Sequence, residues 1–251
     1  MITIGILECG HNLERWLPEH GGFADWLPPL LAQAGDDCAF RVYAAIEGEL
    51  PEDPRLCDAW LLTGSPASVY EDKPWQQALT RFVRKAVALR PVVGICYGHQ
   101  HLHAALGGRV GLHENWGVGI HAYATQTMPE WLPPDIAAQS AEGLRMIALH
   151  RDQVVEPAPD TTVLAADDHC PLAITTIGAN VLTIQAHPEM TRAQAAEIYR
   201  HHYHDIGPAA AQAAIDSLKG ALDAALARAI TRERWHDGAR YDPHQRPHHR
   251  A

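Results

Sequence analysis

The chain has 251 residues, 47% hydrophobic and 20% charged, with 19 Gly and 18 Pro, which fits one large globular domain and excludes a disordered or fibrous chain. Lys and Arg number 20 against 30 Asp and Glu, a formal net charge of -10, so a phosphate-tracking nucleic-acid binder or an anionic-membrane binder is disfavoured and a small neutral or zwitterionic substrate is easier to accommodate. The opening MITIGILECGHNLERW has no basic segment before an apolar core, and no run of about 18 apolar residues follows anywhere, so a soluble, cytoplasmic protein is expected.

Short apolar runs alternate with helical patterns, the mark of an α/β sheet with crossover helices. In chain order, strands are predicted at Ile2 to Leu7, Ala39 to Ala44, Ala59 to Thr63, Pro91 to Cys96, Met146 to His150, Thr162 to Ala166, Leu172 to Thr176 and Val181 to Ala186. Between the third and fourth, Trp75, Leu79, Phe82 and Ala86 fall at helical spacing after an Asp72 cap and a first-turn Pro74. Arg109 to Gln126 reads as a half-exposed antiparallel strand beside a parallel core, and the proline-bearing stretch from Met128 to Pro134 as a loop. Thr191 to Ala229, Ala-rich and interrupted at Gly207-Pro208, is predicted to form two helices. The domain is therefore expected to span residues 1–229, with 230–251 a polar, His-rich tail that cannot bury much and is expected to stay solvated rather than bind metal. Trp16, Trp26 and Trp60 are expected in core or lid packing.

The five cysteines, Cys9, Cys38, Cys57, Cys96 and Cys170, are odd in number and form no CxxC pair, which suggests neither a disulfide framework nor a zinc knuckle. Cys96 stands apart. It sits in Gly94-Ile95-Cys96-Tyr97-Gly98, between a β-branched strand and a short Ala/Leu helix, the glycine-nucleophile-glycine arrangement with Cys in place of Ser. A turn of that kind projects the thiol at the carboxyl edge of the sheet, where the helix dipole and unpaired amides favour thiolate. A cysteine nucleophile needs a base, and the base an orienting acceptor. The run VLTIQAHPEM supplies both, with His187 at a strand end and Glu189 two residues on. An oxyanion needs donors. The backbone amide of Tyr97 is one candidate, and Ser65 or Gly64, at the end of the strand in LLTGSP, the other.

With LLTGSP (61–66), GICYGHQ (94–100), ALGGRV (105–110), ALHRDQV (148–154) and QAHPEM (185–190) in that order, the chain resembles a class I (triad) glutamine amidotransferase domain. It is similar to the amidotransferase half of GMP synthetase, in a free-standing form, from roughly Ile2 to about Ala210. The resemblance implies a flavodoxin-like α/β fold with a mostly parallel central sheet, flanking helices and a nucleophile elbow. It implies Cys96 as nucleophile, His187 as base and then acid, Glu189 as its orienter, and the Gly64 and Tyr97 amides as oxyanion hole. It further implies that Gln100 helps hold the glutamyl group and that His150 and Asp152 line the glutamine pocket, with Arg151 replacing a smaller residue common there. Without the resemblance, His150 and Asp152 would read as a turn capping loop amides.

His99, His101 and His103 invite a metal reading, because His99 and His103 lie one turn apart. The resembled motif accounts for His99 and His101 points to another face, so no metal and no cofactor are expected. Gly117-Val118-Gly119 lacks the context of a dinucleotide loop. The implied chemistry is hydrolysis of the glutamine γ-carboxamide through a γ-glutamyl thioester, with ammonia passed to a synthetase on a separate chain, since no Walker A sequence occurs. Two alternatives stand beside it: a stand-alone γ-glutamyl peptidase or amidase, and a non-catalytic binding protein on the same fold, against which the intact Cys96, His187 and Glu189 argue.

Overall fold

The computed structural model describes residues 2–32 and 38–223, together with Ala227, Thr231 and Glu233. The elements in chain order are β1 (Ile2–Leu7), α1 (Leu17–His20), α2 (Leu27–Ala32), β2 (Cys38–Tyr43), β3 (Ala59–Leu62), α3 (Pro74–Ala86), β4 (Val92–Ile95), α4 (Tyr97–Ala105) and β5 (Arg109–Thr125). They continue with α5 (Pro134–Ser140), β6 (Leu144–Glu156), β7 (Thr161–Ala166), β8 (Ile174–Ile177), β9 (Val181–Ile184), α6 (Arg192–His201), α7 (Tyr203–Ile206) and α8 (Pro208–Ser217).

Among the described residues the strands form one sheet in the order β2-β1-β3-β4-β9-β8-β7-β5-β6. The β2 to β9 half is parallel; β9 to β6 is antiparallel. Every residue of β3, β4 and β9 is buried, as expected of parallel strands covered on both faces. One core, with Ile4, Ile6, Leu61, Val93 and Ile184, lies on one face, and a second, with Leu7, Trp60, Leu62 and Val92, on the other. Helix α3 lays Leu79, Phe82, Val83 and Ala86 on the second core, each large side chain contributing about 1.5–3 kcal/mol by burial. Trp60 meets Phe82 edge to face at 4.9 Å and donates its indole N–H to the Pro54 carbonyl at 2.9 Å.

Several boundaries differ from the sequence expectation. Asp72 is not the cap of α3: it adopts φ 52°, and Lys73 takes the N-cap position before Pro74. Pro134 starts a helix, α5, instead of ending a loop, because a proline at the first turn has no amide to lose. The described part of the C-terminal helical region is broken at His202 as well as at Gly207, and the rest of that prediction and the polar tail lie outside the described residues, apart from Ala227, Thr231 and Glu233. Strand β6 runs well beyond Met146 to His150, pairing antiparallel with β5 across an irregularity between Leu112 and Gly117. Tyr199 of α6 ties the terminal helices to this ribbon: its hydroxyl accepts from the Gly119 N–H at 2.9 Å and donates to the Ala148 carbonyl at 2.5 Å. Gly117 and Gly119 belong to β5, as a strand feature. No helix among the described residues is long and apolar enough to cross a membrane.

The joint between β4 and α4 positions everything that follows. The Cys96 N–H donates to the Ile184 carbonyl at 2.8 Å and so extends the β4–β9 ladder by one residue, after which the chain turns at once into α4. That turn brings the Gly98 N–H to the Thr63 carbonyl at 3.2 Å. A Cβ on Gly98 would lie 2.6 Å from the Leu62 carbonyl oxygen, and one on Gly94 would lie 2.5 Å from Gly98 backbone atoms. Gly98→Ala is therefore expected to destabilise the fold by roughly 1–3 kcal/mol, read as a lower denaturant midpoint at unchanged slope. An unchanged midpoint would contradict this packing.

Candidate active site

Cys96 occupies φ 50° and ψ -102°, a left-sided backbone conformation that a non-glycine residue adopts only when its surroundings enforce it. Enforcement comes from the β4 ladder on one side and the α4 hydrogen bond from the Gln100 N–H to the Cys96 carbonyl, 3.0 Å, on the other. The side chain is thus held at the carboxyl end of the parallel strands, 7% exposed, on the wall of a cavity of about 460 Å³.

His187 reaches the same point from β9. Its backbone N–H donates to the Ile147 carbonyl at 2.8 Å, pinning the turn after β9 to β6. Its Nδ1 lies 2.7 Å from Glu189 Oε1, with both side chains almost wholly buried. On its other side the ring neighbours the Cys96 side chain. Cys96 Sγ and His187 Nε2 both approach the Leu149 carbonyl oxygen, at 3.7 and 3.4 Å. Burial opposes the charged imidazolium, yet the Glu189 carboxylate and the ionised Cys96 sulfur outweigh it and hold His187 well above the usual imidazole range. The structure therefore brings together the three residues singled out as a triad, with His187 hydrogen-bonded to Glu189 and adjacent to Cys96.

Gly64 faces both reacting groups. A Cβ there would sit 3.4 Å from His187 Cε1 and 3.9 Å from Cys96 Cβ, so the glycine leaves its backbone open to the space above the thiol. Gly64 and Ser65 line the cavity; the Ser65 hydroxyl accepts from the Ala67 N–H at 3.1 Å, which shapes the loop. The Tyr97 side chain is buried behind the elbow, its hydroxyl accepting from Gln76 Nε2 at 3.1 Å, so any donation to the cavity comes from its backbone N–H in the first turn of α4.

The pocket residues divide. Gln100 donates its side-chain N–H to the Asp152 carbonyl at 2.8 Å and to Gln185 Oε1 at 3.2 Å, an anchoring of β6 against α4. The Asp152 carboxylate accepts from the Ser68 hydroxyl at 2.5 Å and the Tyr70 hydroxyl at 2.9 Å, which locks β6 to the loop after β3. His150 is 4% exposed, lines the cavity and has no partner for either ring nitrogen among the described residues. Burial, with the neighbouring His169, His121 and His187 adding like charge, lowers it to about 3, so it stays neutral and can give or take a hydrogen bond. Arg151 also lines the cavity.

Residues that sequence reasoning left aside complete the wall. Trp16, Phe23 and Trp26 come from the short turns between β1 and β2, Trp116 from β5, and His201 and His202 from the end of α6. Trp16 and Trp26 were readable as lid packing; Trp116 carried no signal at all. The elbow-helix histidines do not converge on a metal: His99 Nδ1 meets the Thr183 hydroxyl at 2.7 Å, His103 Nε2 the Thr175 hydroxyl at 3.0 Å, and His101 turns to Tyr97 and Thr80. Among the described residues, Glu19, His20 and Glu197 form the one group whose ligand atoms lie within 4.8 Å of one another, at the surface and already joined by a 2.7 Å contact from His20 Nε2 to Glu197.

Comparison with known proteins bears on the family and the fold. The family profile described as glutamine amidotransferase class-I matches residues 39–206. "Gamma-glutamyl peptidase 2" of Arabidopsis thaliana is 26% identical over 176 residues, covering 69% of this chain and 70% of its own. A GMP synthase [glutamine-hydrolyzing] of Bdellovibrio bacteriovorus is 34% identical over 132 residues, which are 52% of this chain but 23% of that larger protein. Among solved structures, a glutamine amidotransferase from Methylobacillus flagellatus matches 99% of this chain and 98% of its own with a TM-score of 0.67 at 23% identity. A second, from Thermotoga maritima, matches 96% and 99% with a TM-score of 0.70 at 15% identity. From its profile match, its fold and its ordered motifs, the chain belongs to the class I glutamine amidotransferase family.

Proposed function

We propose that the protein hydrolyses γ-glutamyl amides, with the γ-carboxamide of glutamine as the simplest member, through Cys96, His187 and Glu189. The observation that carries this is the strained Cys96 at the head of a cavity, sharing the Leu149 carbonyl and the Gly64 backbone as neighbours with a buried histidine that is itself paired with a buried glutamate at 2.7 Å. Proton transfer from Cys96 to His187 creates the thiolate and imidazolium, and the raised His187 favours that state. The thiolate attacks the γ-carbonyl carbon, and negative charge develops on the carbonyl oxygen, towards the backbone amides of Gly64 and Tyr97. His187 then gives its proton to the leaving nitrogen as the C–N bond breaks, leaving a γ-glutamyl thioester. Water attacks the thioester with His187 taking its proton, the C–S bond breaks, and glutamate departs. The glutamyl moiety is assigned to the part of the cavity lined by Gln100, His150 and Asp152.

With glutamine, the amine is ammonia, which a synthetase on a separate chain would consume; a partial match to a GMP synthase [glutamine-hydrolyzing] supports this reading. A stand-alone γ-glutamyl peptidase or amidase is the second reading, supported by the cavity of about 460 Å³, far more room than an NH₂ leaving group needs, and by the similarity to a γ-glutamyl peptidase. A cytoplasmic location suits either reading, because a nucleophilic thiol stays reduced there.

Cys96→Ala is expected to remove glutamate release from glutamine and from γ-glutamyl amides while leaving the thermal midpoint close to that of the parent. Cys96-independent turnover would refute the assignment. The pH profile checks the pair. His187 must carry a proton to expel the amine, so its raised pKa is expected to put the alkaline limb of kcat/KM above the ordinary imidazole value of about 6.5. Glu189→Gln removes the charge that raises His187, so that limb moves to lower pH; a limb that stays in place would show that Glu189 does not act through His187.

A further inference from the structure

The cavity beside Cys96 has two chemically different ends. One is polar: Gln100, His150 and Asp152, bound to the loop after β3 through Ser68 and Tyr70. A second group of lining residues, Trp16, Phe23, Trp26, Trp116, Met190 and Ile198, packs together as an apolar wall contributed by the turns before β2, by β5, by the segment after β9 and by α6. A single glutamyl group has an amine, a carboxylate and an amide to satisfy, all of which suit the polar end. Nothing in it needs four aromatic rings.

Those rings are held in place from behind. Trp26 donates its indole N–H to the His20 carbonyl at 2.6 Å and meets Phe23 edge to face at 5.2 Å. Trp16 meets the His201 ring at 5.3 Å, and Trp116 donates to the Asp205 carbonyl at 3.1 Å with its ring against His202. The indole N–H groups of Trp26 and Trp116 are thus consumed by the protein and Phe23 has none, so the surface these three offer the cavity is ring carbon. At the mouth, Leu13 and Leu112 remain 40% and 60% exposed, apolar area beside the cavity that an occupant would cover. Among the described lining residues the carboxylates are Asp152 and Glu189, the first held by the Ser68 and Tyr70 hydroxyls and the second paired with His187, and neither belongs to the apolar wall.

We infer that the apolar wall is a leaving-group subsite, and that the preferred substrate is a γ-glutamyl amide of an aromatic amine. The inference deepens the proposed hydrolysis and rests on it for turnover. With the glutamyl group at the polar end and its carbonyl carbon at Cys96, the amide nitrogen points its substituent towards Trp16 and Trp116, where ring stacking and area burial add binding that ammonia or a short alkyl amine cannot collect. The chemistry is unchanged: His187 protonates the departing arylalkylamine, and glutamate leaves after hydrolysis of the thioester.

The test compares γ-glutamyl-2-phenylethylamide with γ-glutamyl-ethylamide, whose amines have similar basicity, alongside glutamine, γ-glutamylphenylalanine and a γ-glutamyl polyamine. A kcat/KM at least ten-fold higher for the phenylethylamide than for the ethylamide is expected, and Trp116→Ala or the surface change Leu112→Ser is expected to lower that ratio. Binding of the same two amides to Cys96→Ala, followed by tryptophan fluorescence, reads the subsite without turnover and should show the same order. Cys96-dependent turnover with no aromatic preference would overturn the subsite while leaving the hydrolase reading standing. Selective binding without turnover would support the subsite and overturn the hydrolase. Equal binding of both amides, with no turnover of either, would overturn both.

Discussion

The turn from β4 into α4 is made with no intervening loop, and the fold can make it only because two glycines let backbone pass against backbone. Gly94 packs on Gly98, and Gly98 on Leu62, at distances that a methyl group would violate. Between them Cys96 takes up a positive φ that its neighbours' hydrogen bonds enforce. Strain of that sort, of order 1–3 kcal/mol, is tolerable because the flanking strands and helix are buried on every side. The consequence is a side chain presented at the sheet edge with almost no freedom to turn away.

A second constraint is electrostatic. Burying His187 and Glu189 together removes both from water, and neither would remain there alone. Each element that touches the pair also helps to seat it: β9 delivers the histidine, β6 holds its backbone through Ile147, and Cys96 closes the far side of the ring. Beneath the elbow, the hydroxyls of Thr175 and Thr183, 2.6 Å apart, engage His103 and His99 and fasten α4 to β8 and β9. The antiparallel half of the sheet is thereby coupled to the parallel half at the point where the candidate site lies.

Much of this was legible in the residues. Apolar β-branched runs mark strands buried on both faces, and GICYG and HPE carry their own geometric meaning, because glycines at those offsets have few other uses and a histidine followed by proline and glutamate places an acceptor beside the ring. What stayed hidden was long-range or too short to be periodic. The segments from Glu14 to Ala32 fold as turns of three to six residues, too brief to reveal an apolar face, yet they form one wall of the cavity. Ser68 and Tyr70 give no hint that they will bond Asp152, because that contact depends on the register of β6. Trp116 reaches the cavity from a ribbon whose irregularity after Leu112 is invisible in composition. Asp72 looked like a cap by type, but the left-handed turn it adopts leaves that position to Lys73.

The central claim is that Cys96 alone among the five cysteines is a nucleophile towards a γ-glutamyl carbonyl. Burial pushes Cys170 up to about 12 and Cys9 higher still, so neither presents a thiolate near neutral pH, whereas Cys96 lies beside His187. Incubation with a glutamine-like chloroketone, followed by intact-mass measurement and peptide mapping, tests this directly. One adduct, on Cys96, suppressed by excess substrate, is the predicted result; labelling of another cysteine, or labelling of Cys96 that substrate does not suppress, would contradict it.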